Sequence, residues 1–283
     1  MSALSAPEPV EAVLRRPHSL LEGPRIGTDG ELVYSDVIAG GVFSCSPGDG
    51  EVEELLPRRR GIGGIVPHAD GGWVLSGRTV IHLSPDGEQR ELLSDPDVPG
   101  YNDLFATPAG ELLAGELRYR PMREEEPREG RVVSLAPGGA AQTRCRPVRW
   151  PNGIGLSPDG ATLYVSDYAR REVLACSSSG GAEPRRFAAS PRGSADGLAV
   201  DEEGCVWLAL GEGGAVARLD PEGQLLELVE LPARFVSSIS FGGADRRDVA
   251  ITTADSLIEP ELGGMVLRAR SAVAGLPVTP VSA

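Results

Sequence analysis

Short apolar segments separated by glycine-containing turns recur along the chain. Within each segment apolar and polar residues mostly alternate, which is the pattern of a half-buried β-strand. The turns supply the backbone conformations that tight hairpins need. No helical period persists beyond about two turns, so the pattern predicts very little helix. The turns that open the copies are, in order, Thr28-Asp29-Gly30, Ala69-Asp70-Gly71-Gly72, Pro108-Ala109-Gly110, Pro158-Asp159-Gly160, Glu203-Gly204 and Gly243-Ala244-Asp245.

The spacing of these copies predicts the architecture. They begin roughly 40–50 residues apart, and several strand-like segments fit into each unit. A period of this length with several strands per unit is typical of a β-propeller blade. The six copies therefore predict an all-β fold, a six-bladed β-propeller with four-stranded antiparallel blades. We expect one domain over residues 1–283, with residues 1–17 as an N-terminal segment.

One stretch departs from the repeat. Residues 117–130 lengthen the third unit with a charged segment that contains Pro121 and Pro127. A long hairpin loop of this kind is either a solvated insertion or a lid over the mouth of the central channel. We expect its first residues, which follow the preceding strand, to be the ones that reach a ligand.

Composition and charge narrow the function classes. The net charge of −14 disfavours nucleic acid and anionic lipid as partners. No apolar run is long enough to span a membrane, no signal peptide is recognisable, and no obligate protein partner is evident, so we expect a cytoplasmic protein. The four scattered cysteines form no Cys-x-x-Cys pair and are interpreted as reduced thiols.

Polar residues with side-chain oxygens stand just before the innermost strand of several units. They are Glu22, Asn102, Asn152 and Asp196. Equivalent positions of successive blades converge on the propeller axis, so two carboxylates and two amides would face one another there. Such an all-oxygen set suits Ca²⁺, with Mg²⁺, Mn²⁺ or Zn²⁺ as alternatives. The competing interpretation is that Asn152-Gly153 and Asp196-Gly197 are ordinary turn dipeptides.

The same motifs resemble the regucalcin/gluconolactonase family, which includes senescence-marker-like and luciferin-regenerating-enzyme-like proteins. The resemblance spans essentially the whole chain and rests on the segments Glu22-Gly23-Pro24, Asn102-Asp103, Pro151–Gly160, Asp196–Asp201 and Phe241-Gly242-Gly243. It implies a six-bladed propeller with one divalent metal in the channel. By position it implies that Glu22, Asn152 and Asp196 are metal ligands, that Asp196 is also the general base or acid, and that Asn102 lines the substrate site.

Around these motifs the chain differs from sugar-lactone members of that family. Gly100 stands where they carry an arginine, and Tyr101 follows it next to Asn102. Glu116 replaces a threonine at a strand end, and Arg120 replaces an acidic residue. The substrate wall is therefore expected to differ while the metal centre is retained. We expect this wall to comprise Asn102, Tyr101, Glu116, Arg118, Tyr119, Arg120 and Tyr168.

The function that these observations favour is metal-dependent hydrolysis of a small-molecule lactone or related ester. In this hypothesis the metal polarises the carbonyl and Asp196 accepts a proton from water, with Asn102 orienting substrate or water. One alternative uses the same platform for another reaction, such as organophosphate hydrolysis or tailoring of a metabolite. The other is a propeller that binds calcium or a ligand without catalysis.

Overall fold

Twenty-four β-strands form six four-stranded antiparallel sheets in the computed structural model, which describes residues 11–16, 20–46, 51–123, 125–254 and 263–283. The one helical element among these residues is a 3₁₀ turn at Pro121–Arg123. The expected all-β fold with almost no helix is therefore confirmed. No helix in the described ranges is long and apolar enough to cross a membrane.

The strands follow the sequence repeat. In chain order they are β1 (Glu11–Arg16), β2 (Leu21–Ile26), β3 (Leu32–Asp36), β4 (Gly41–Cys45), β5 (Val52–Pro57), β6 (Ile65–Pro67), β7 (Trp73–Leu75), β8 (Val80–Leu83), β9 (Gln89–Leu93), β10 (Gly100–Ala106), β11 (Leu112–Leu117), β12 (Gly130–Leu135), β13 (Gln142–Val148), β14 (Pro151–Leu156), β15 (Thr162–Asp167), β16 (Glu172–Ser177), β17 (Arg185–Ala189), β18 (Leu198–Val200), β19 (Val206–Ala209), β20 (Ala215–Leu219), β21 (Leu225–Glu230), β22 (Val236–Gly242), β23 (Asp248–Thr253) and β24 (Gly264–Arg270).

Each sheet is one blade of a propeller. Blades 1 to 5 are consecutive meanders, β2–β5, β6–β9, β10–β13, β14–β17 and β18–β21. The innermost strand of every blade contacts those of both neighbouring blades, and β2 contacts β22, so the ring is closed. Apolar side chains pack between the faces of adjacent blades, as where the ring of Trp207 in blade 5 lies 5.7 Å from that of Phe241 in blade 6. The six-bladed prediction is confirmed.

The first and the last strand of the described chain pair with each other in blade 6. Its order is β22-β23-β24-β1, so the outermost strand comes from residues 11–16. Arg16 pairs with Gly264 and Ala12 pairs with Leu267. Part of the expected N-terminal segment is therefore a blade strand, and its pairing joins the beginning of the ring to its end.

Residues 271–283 cross the end of the propeller where the innermost strands terminate. The amide of Leu276 donates to Val200 O, at the end of β18, over 3.2 Å. The amide of Val281 donates to Pro67 O, at the end of β6, over 2.8 Å. A cavity of about 80 Å³ at this end is lined by the segment and by channel residues that include Arg25 and Asp103. This segment therefore covers the channel at the end opposite the starts of the innermost strands.

The prediction of four reduced thiols is wrong for one pair. Cys145 on β13 and Cys176 on β16 form a disulfide between blades 3 and 4, with their Cα atoms 6.0 Å apart. Cys45 and Cys205 are free and buried. The spacing of the cysteines gave no sign of this pair, because the two strands meet only when neighbouring blades pack face to face.

Candidate functional site

The four predicted polar residues all lie at the starts of innermost strands, at the same end of the channel. Glu22, Asn102 and Asn152 lie inside β2, β10 and β14 rather than before them, and Asp196 stands two residues before β18. In blades 1, 3 and 4 the register with the second strand shifts at this point. A β-bulge of this kind changes the direction of side chains that would otherwise alternate regularly. The local backbone is thus irregular where the polar residues stand.

Glycines bring the innermost strands close enough for these side chains to meet. A Cβ atom at Gly153 would collide with the backbone of Gly197 and Leu198 in the next blade, and one at Gly197 would collide with Ser238. Any other residue would force the neighbouring blades apart. The Asn-Gly and Asp-Gly dipeptides are therefore close-packing positions beside the channel.

Hydrogen bonds order the polar side chains. Asn152 Nδ2 donates to Asp196 Oδ1, so the amide oxygen of Asn152 is left as an acceptor. Asn102 Nδ2 donates to Pro151 O over 3.1 Å. Glu22 accepts from the Gly23 amide over 3.3 Å. Glu22 is 8% exposed and Asp196 is 2% exposed, so both carboxyl groups are withheld from water.

Asp103 adds a third carboxyl group that the sequence analysis did not assign to the site. It follows Asn102 and is buried, and its charge raises the pKa of both Glu22 and Asp196. Burial is the largest cause of the raised pKa at each of these two groups, and the charge of Asp196 also raises that of Glu22. Asp103 was missed because neighbouring residues in a regular strand point to opposite faces, so Asn102 and Asp103 would not be expected at one site. The only sequence signal for Asp103 was its position next to Asn102 in the Asn102-Asp103 motif.

One cation of the protein lies beside these acids. Arg25 is within electrostatic range of Asp103 and Glu22, and burial lowers its pKa. Its guanidinium donates to Pro24 O over 2.7 Å and to Leu104 O over 3.3 Å. Three buried carboxyl groups and one guanidinium leave an excess of negative charge when all are ionised. Because the uncompensated groups offer hard oxygen atoms, the donor set fits a divalent cation such as Ca²⁺.

The acid cluster predicts a specific pH dependence of stability for the cation-free protein. Burial raises the pKa of Asp103 from 3.8 to about 6, although Arg25 lowers it. An acid whose pKa is raised by folding binds its proton more tightly when folded. Protonated Asp103 therefore stabilises the folded protein fully below pH 3.8, and this stabilisation is lost as the pH rises to about 6. At neutral pH in EDTA we expect Asp103→Asn to be more stable than the wild type, by at most roughly 3 kcal/mol.

Urea unfolding from pH 4 to 8 in EDTA measures this difference. We expect the advantage of Asp103→Asn over the wild type to grow between pH 4 and about 6 and then to level off. Asp97→Asn, at an exposed position, serves as the control and should follow the wild type. A constant offset between Asp103→Asn and the wild type at all pH values would contradict the assignment.

An aromatic surface lies next to Asp196. Burial, and next the charge of Asp196, raise the pKa of Tyr168 to about 12, and its hydroxyl is hydrogen-bonded to Ser194. The ring of Trp150 is 4.4 Å from that of Tyr168 and 6.3 Å from that of Tyr119. Trp150 was not among the expected substrate residues, although it directly precedes Pro151-Asn152 in the sequence. Trp150 and Tyr168 are partly exposed and form a surface on which an apolar face of a small molecule can lie, whereas Tyr119 is 4% exposed and supports Trp150 through an edge contact.

Of the remaining residues of the expected wall, Glu116 and Arg118 belong to a charged network with Arg131, and the two arginines line a separate cavity of blade 3 that none of these rings lines. Glu116 is buried and accepts from Arg118 Nε over 2.7 Å and from two nitrogens of Arg131 over 3.0 and 2.9 Å. Tyr101 is buried opposite it in the strand pair, and burial raises the pKa of Tyr101 to about 12. Arg120 instead forms an exposed ion pair with Glu125, 2.9 Å away, within the inserted loop.

Comparison with known proteins gives a consistent result over nearly the full chain. A family model described as SMP-30/gluconolactonase/LRE-like region matches residues 20–255. A 6-deoxy-6-sulfogluconolactonase from Pseudomonas putida is 31% identical over 287 residues, which cover 95% of this chain and 97% of the relative. Pentonolactonase XacC from Haloferax volcanii is 30% identical, with 82% of this chain and 81% of the relative covered.

A solved structure shows the same fold. The calcium-binding protein regucalcin from Agrobacterium tumefaciens superimposes with a TM-score of 0.84. The superposition covers 97% of this chain and 97% of that protein, at 21% sequence identity.

Proposed function

Since the chain belongs to the SMP-30/gluconolactonase/LRE-like family, we propose that it is a divalent-cation-dependent lactonase that hydrolyses a small-molecule lactone or related ester. The observation that carries this proposal is the convergence of Glu22, Asn152 and Asp196 at one end of the channel, next to the aromatic surface. The two lactonases at about 30% identity support the same reaction class. The inserted loop, for which the sequence predicts either a solvated insertion or a lid, follows Glu116 at this end of the propeller.

Three residues are proposed to hold the cation. Glu22 and Asp196 would each supply a carboxylate oxygen, and Asn152 would supply its amide oxygen. We propose Ca²⁺ because all three ligands are hard oxygen donors, and the calcium-binding name of the structural neighbour agrees with this choice. When bound, such an ion would supply Lewis-acid polarisation of the substrate carbonyl.

The chain's own groups then account for the movement of protons. Asp196 accepts a proton from the attacking water as the new carbon–oxygen bond forms. The same proton passes to the ring oxygen as the lactone bond breaks, and the product is a hydroxy acid. The amide of Asn152 donates to Asp196 and holds this carboxyl group in a fixed orientation. Asn102, whose side chain is fixed by Pro151 O, orients the substrate or the water.

The surroundings of the site indicate how a substrate is held. The rings of Trp150 and Tyr168, with the buried Tyr119 packed against Trp150, offer an apolar surface next to Asp196. Arg118, which is held by the buried Glu116, is partly exposed at the end of the adjoining strand and offers a charged group. We propose that the rings of Trp150 and Tyr168 contact one face of the lactone ring and that Arg118, positioned by Glu116, contacts its hydroxyl or other polar substituents.

A substrate panel with and without chelator tests the proposal. Lactone hydrolysis releases an acid, so a pH indicator follows it directly for five- and six-membered sugar lactones, aryl esters and phosphotriesters. We expect a lactone to be hydrolysed fastest, EDTA to abolish this turnover and excess Ca²⁺ to restore it. Turnover indifferent to EDTA, or confined to phosphotriesters, would exclude the proposed function.

A further inference from the structure

A second polar cluster lies at the opposite end of blade 2. His68 directly follows β6, Asp70 stands in the turn between β6 and β7, and His82 is on β8. Two of the chain's three histidines are therefore brought together at the end of the propeller crossed by residues 271–283. The cluster is separated along the strand direction from Glu22, Asn152 and Asp196, which lie where the innermost strands begin.

The imidazole rings of His68 and His82 both contact the carboxylate of Asp70. His68 Nδ1 is 2.7 Å from Asp70 Oδ1, and His82 Nε2 is 3.0 Å from Asp70 Oδ2. The two rings are 3.9 Å apart between centroids. One ligand atom from each of the three residues can be chosen so that all lie within 4.8 Å of one another. Ligands of a tetrahedral Zn²⁺ at 2.0–2.1 Å are about 3.3 Å apart, so side-chain adjustments of about 1 Å would close this set around an ion.

Surrounding hydrogen bonds hold two of the three side chains in place. His68 Nε2 is 3.3 Å from the main-chain oxygen of Ala283, which also accepts from Arg90. A proton on Nε2 leaves the lone pair of His68 Nδ1 as the metal-binding position, and a metal would replace its present contacts with Asp70 Oδ1 (2.7 Å) and the Asp70 amide (3.4 Å). An outer hydrogen bond like that of Nε2 is usual for metal-bound histidine. The Gly72 amide donates to Asp70 Oδ1 over 2.9 Å, and this bond is the largest cause that lowers the pKa of Asp70 to about 2.

A second cluster with carboxylates differs from this one because an arginine already neutralises it. Asp201, Glu203 and Cys205 also lie close together, but Arg218 already bonds Asp201 and Glu203, each over 2.7 Å. In the described part of the chain no arginine forms an ion pair with Asp70, and its side-chain partners are the two histidines. The His68 cluster thus combines metal-binding atoms with a carboxylate that no guanidinium neutralises.

We propose that His68, Asp70 and His82 form a second metal site, specific for a dication that prefers imidazole ligands, with Zn²⁺ as the probe. Two nitrogens and one oxygen match the ligand types that Zn²⁺ takes in proteins, unlike the all-oxygen set in the channel. The site is structural. It joins the first turn of blade 2 to its third strand and, through His68, to residues 281–283. The proposal does not depend on lactonase activity.

Histidine-selective ¹⁵N NMR tests this directly, because the full chain contains three histidines. One equivalent of Zn²⁺ added to the intact protein should shift His68 Nδ1 and His82 Nε2 and leave His18 unchanged. Cation binding by the channel carboxylates does not produce this signal, so the two proposals fail independently. Absence of a shift at one equivalent, or a shift confined to His18, overturns the second site.

Variants and hydrogen exchange complete the test. His82→Gln and Asp70→Asn should each weaken Zn²⁺ binding at least about 100-fold by titration calorimetry, and two variants are used in case one fails to fold. His18→Gln is the matched control and should bind as the wild type does. Zn²⁺ should also slow exchange of the Val281 amide, which bonds Pro67 O. Unchanged binding in both variants, or unchanged exchange at Val281 on saturation, refutes the proposed structural site.

Discussion

Replacing Asp196 by asparagine is expected to lower kcat/KM for lactone hydrolysis at least about 10³-fold while the propeller remains folded. The substitution removes the proposed proton acceptor and one of the two carboxylates proposed to hold the cation. An asparagine oxygen can still accept from Asn152, so the local hydrogen bond and the packing survive. Initial rates on the best lactone of the panel, together with circular dichroism, measure the two parts of this prediction.

The matched control for this substitution is Asp29→Asn. Asp29 is an exposed turn residue that accepts from the Glu31 amide over 3.0 Å, and it lies outside the channel. The control should retain wild-type rates. If Asp196→Asn kept turnover within a few-fold of the wild type, the role of Asp196 would have to be abandoned.

Replacing Glu22 by glutamine is expected to have opposite effects with and without the divalent cation. In EDTA the ionised carboxylate of Glu22 destabilises the folded protein, because burial and the charges of Asp196 and Asp103 raise its pKa. At pH 7.5 the neutral amide should therefore raise Tm. With Ca²⁺ the same substitution removes a proposed ligand, so the cation-dependent gain in Tm should be lost and turnover should fall at least about 100-fold.

Differential scanning calorimetry in EDTA and across a Ca²⁺ titration measures both effects. Glu88→Gln, in an exposed hairpin turn of blade 2, is the control and should reproduce the wild-type dependence on Ca²⁺. An equal Ca²⁺-dependent gain in Tm for the wild type and Glu22→Gln would show that Glu22 does not hold the cation.

Much of the fold could be predicted from local patterns. The turn Pro158-Asp159-Gly160 and the strand Thr162–Asp167 recur with small changes in the other blades, and each copy forms its own meander. Pairing between consecutive strands is specified by short turns, so a repeating sequence is enough to predict it. The pairing of Glu11–Arg16 with Gly264–Arg270 has no such local signal, since it joins the first strand of the described chain to the last.

The candidate site was predictable only in part. Glu22, Asn152 and Asp196 could be selected because they interrupt the repeat at equivalent positions. The contribution of Asp103 depends on a register shift in β10 that directs it toward the same acids. Trp150 was missed because its partners, Tyr119 and Tyr168, come from two different blades. The Cys145–Cys176 pair was missed for the same reason, because its strands are not consecutive in one sheet.

By itself, the sequence determined the all-β repeat, the number of blades and the polar residues that stand where the innermost strands start. These features follow from strand alternation and turn chemistry, which act over a few neighbouring residues. The tertiary structure decided which acids share one buried volume, how Arg25 compensates them, and that His68, Asp70 and His82 meet at the opposite end. Burial and electrostatic coupling depend on distances between residues far apart in the chain, and only the closed ring sets those distances.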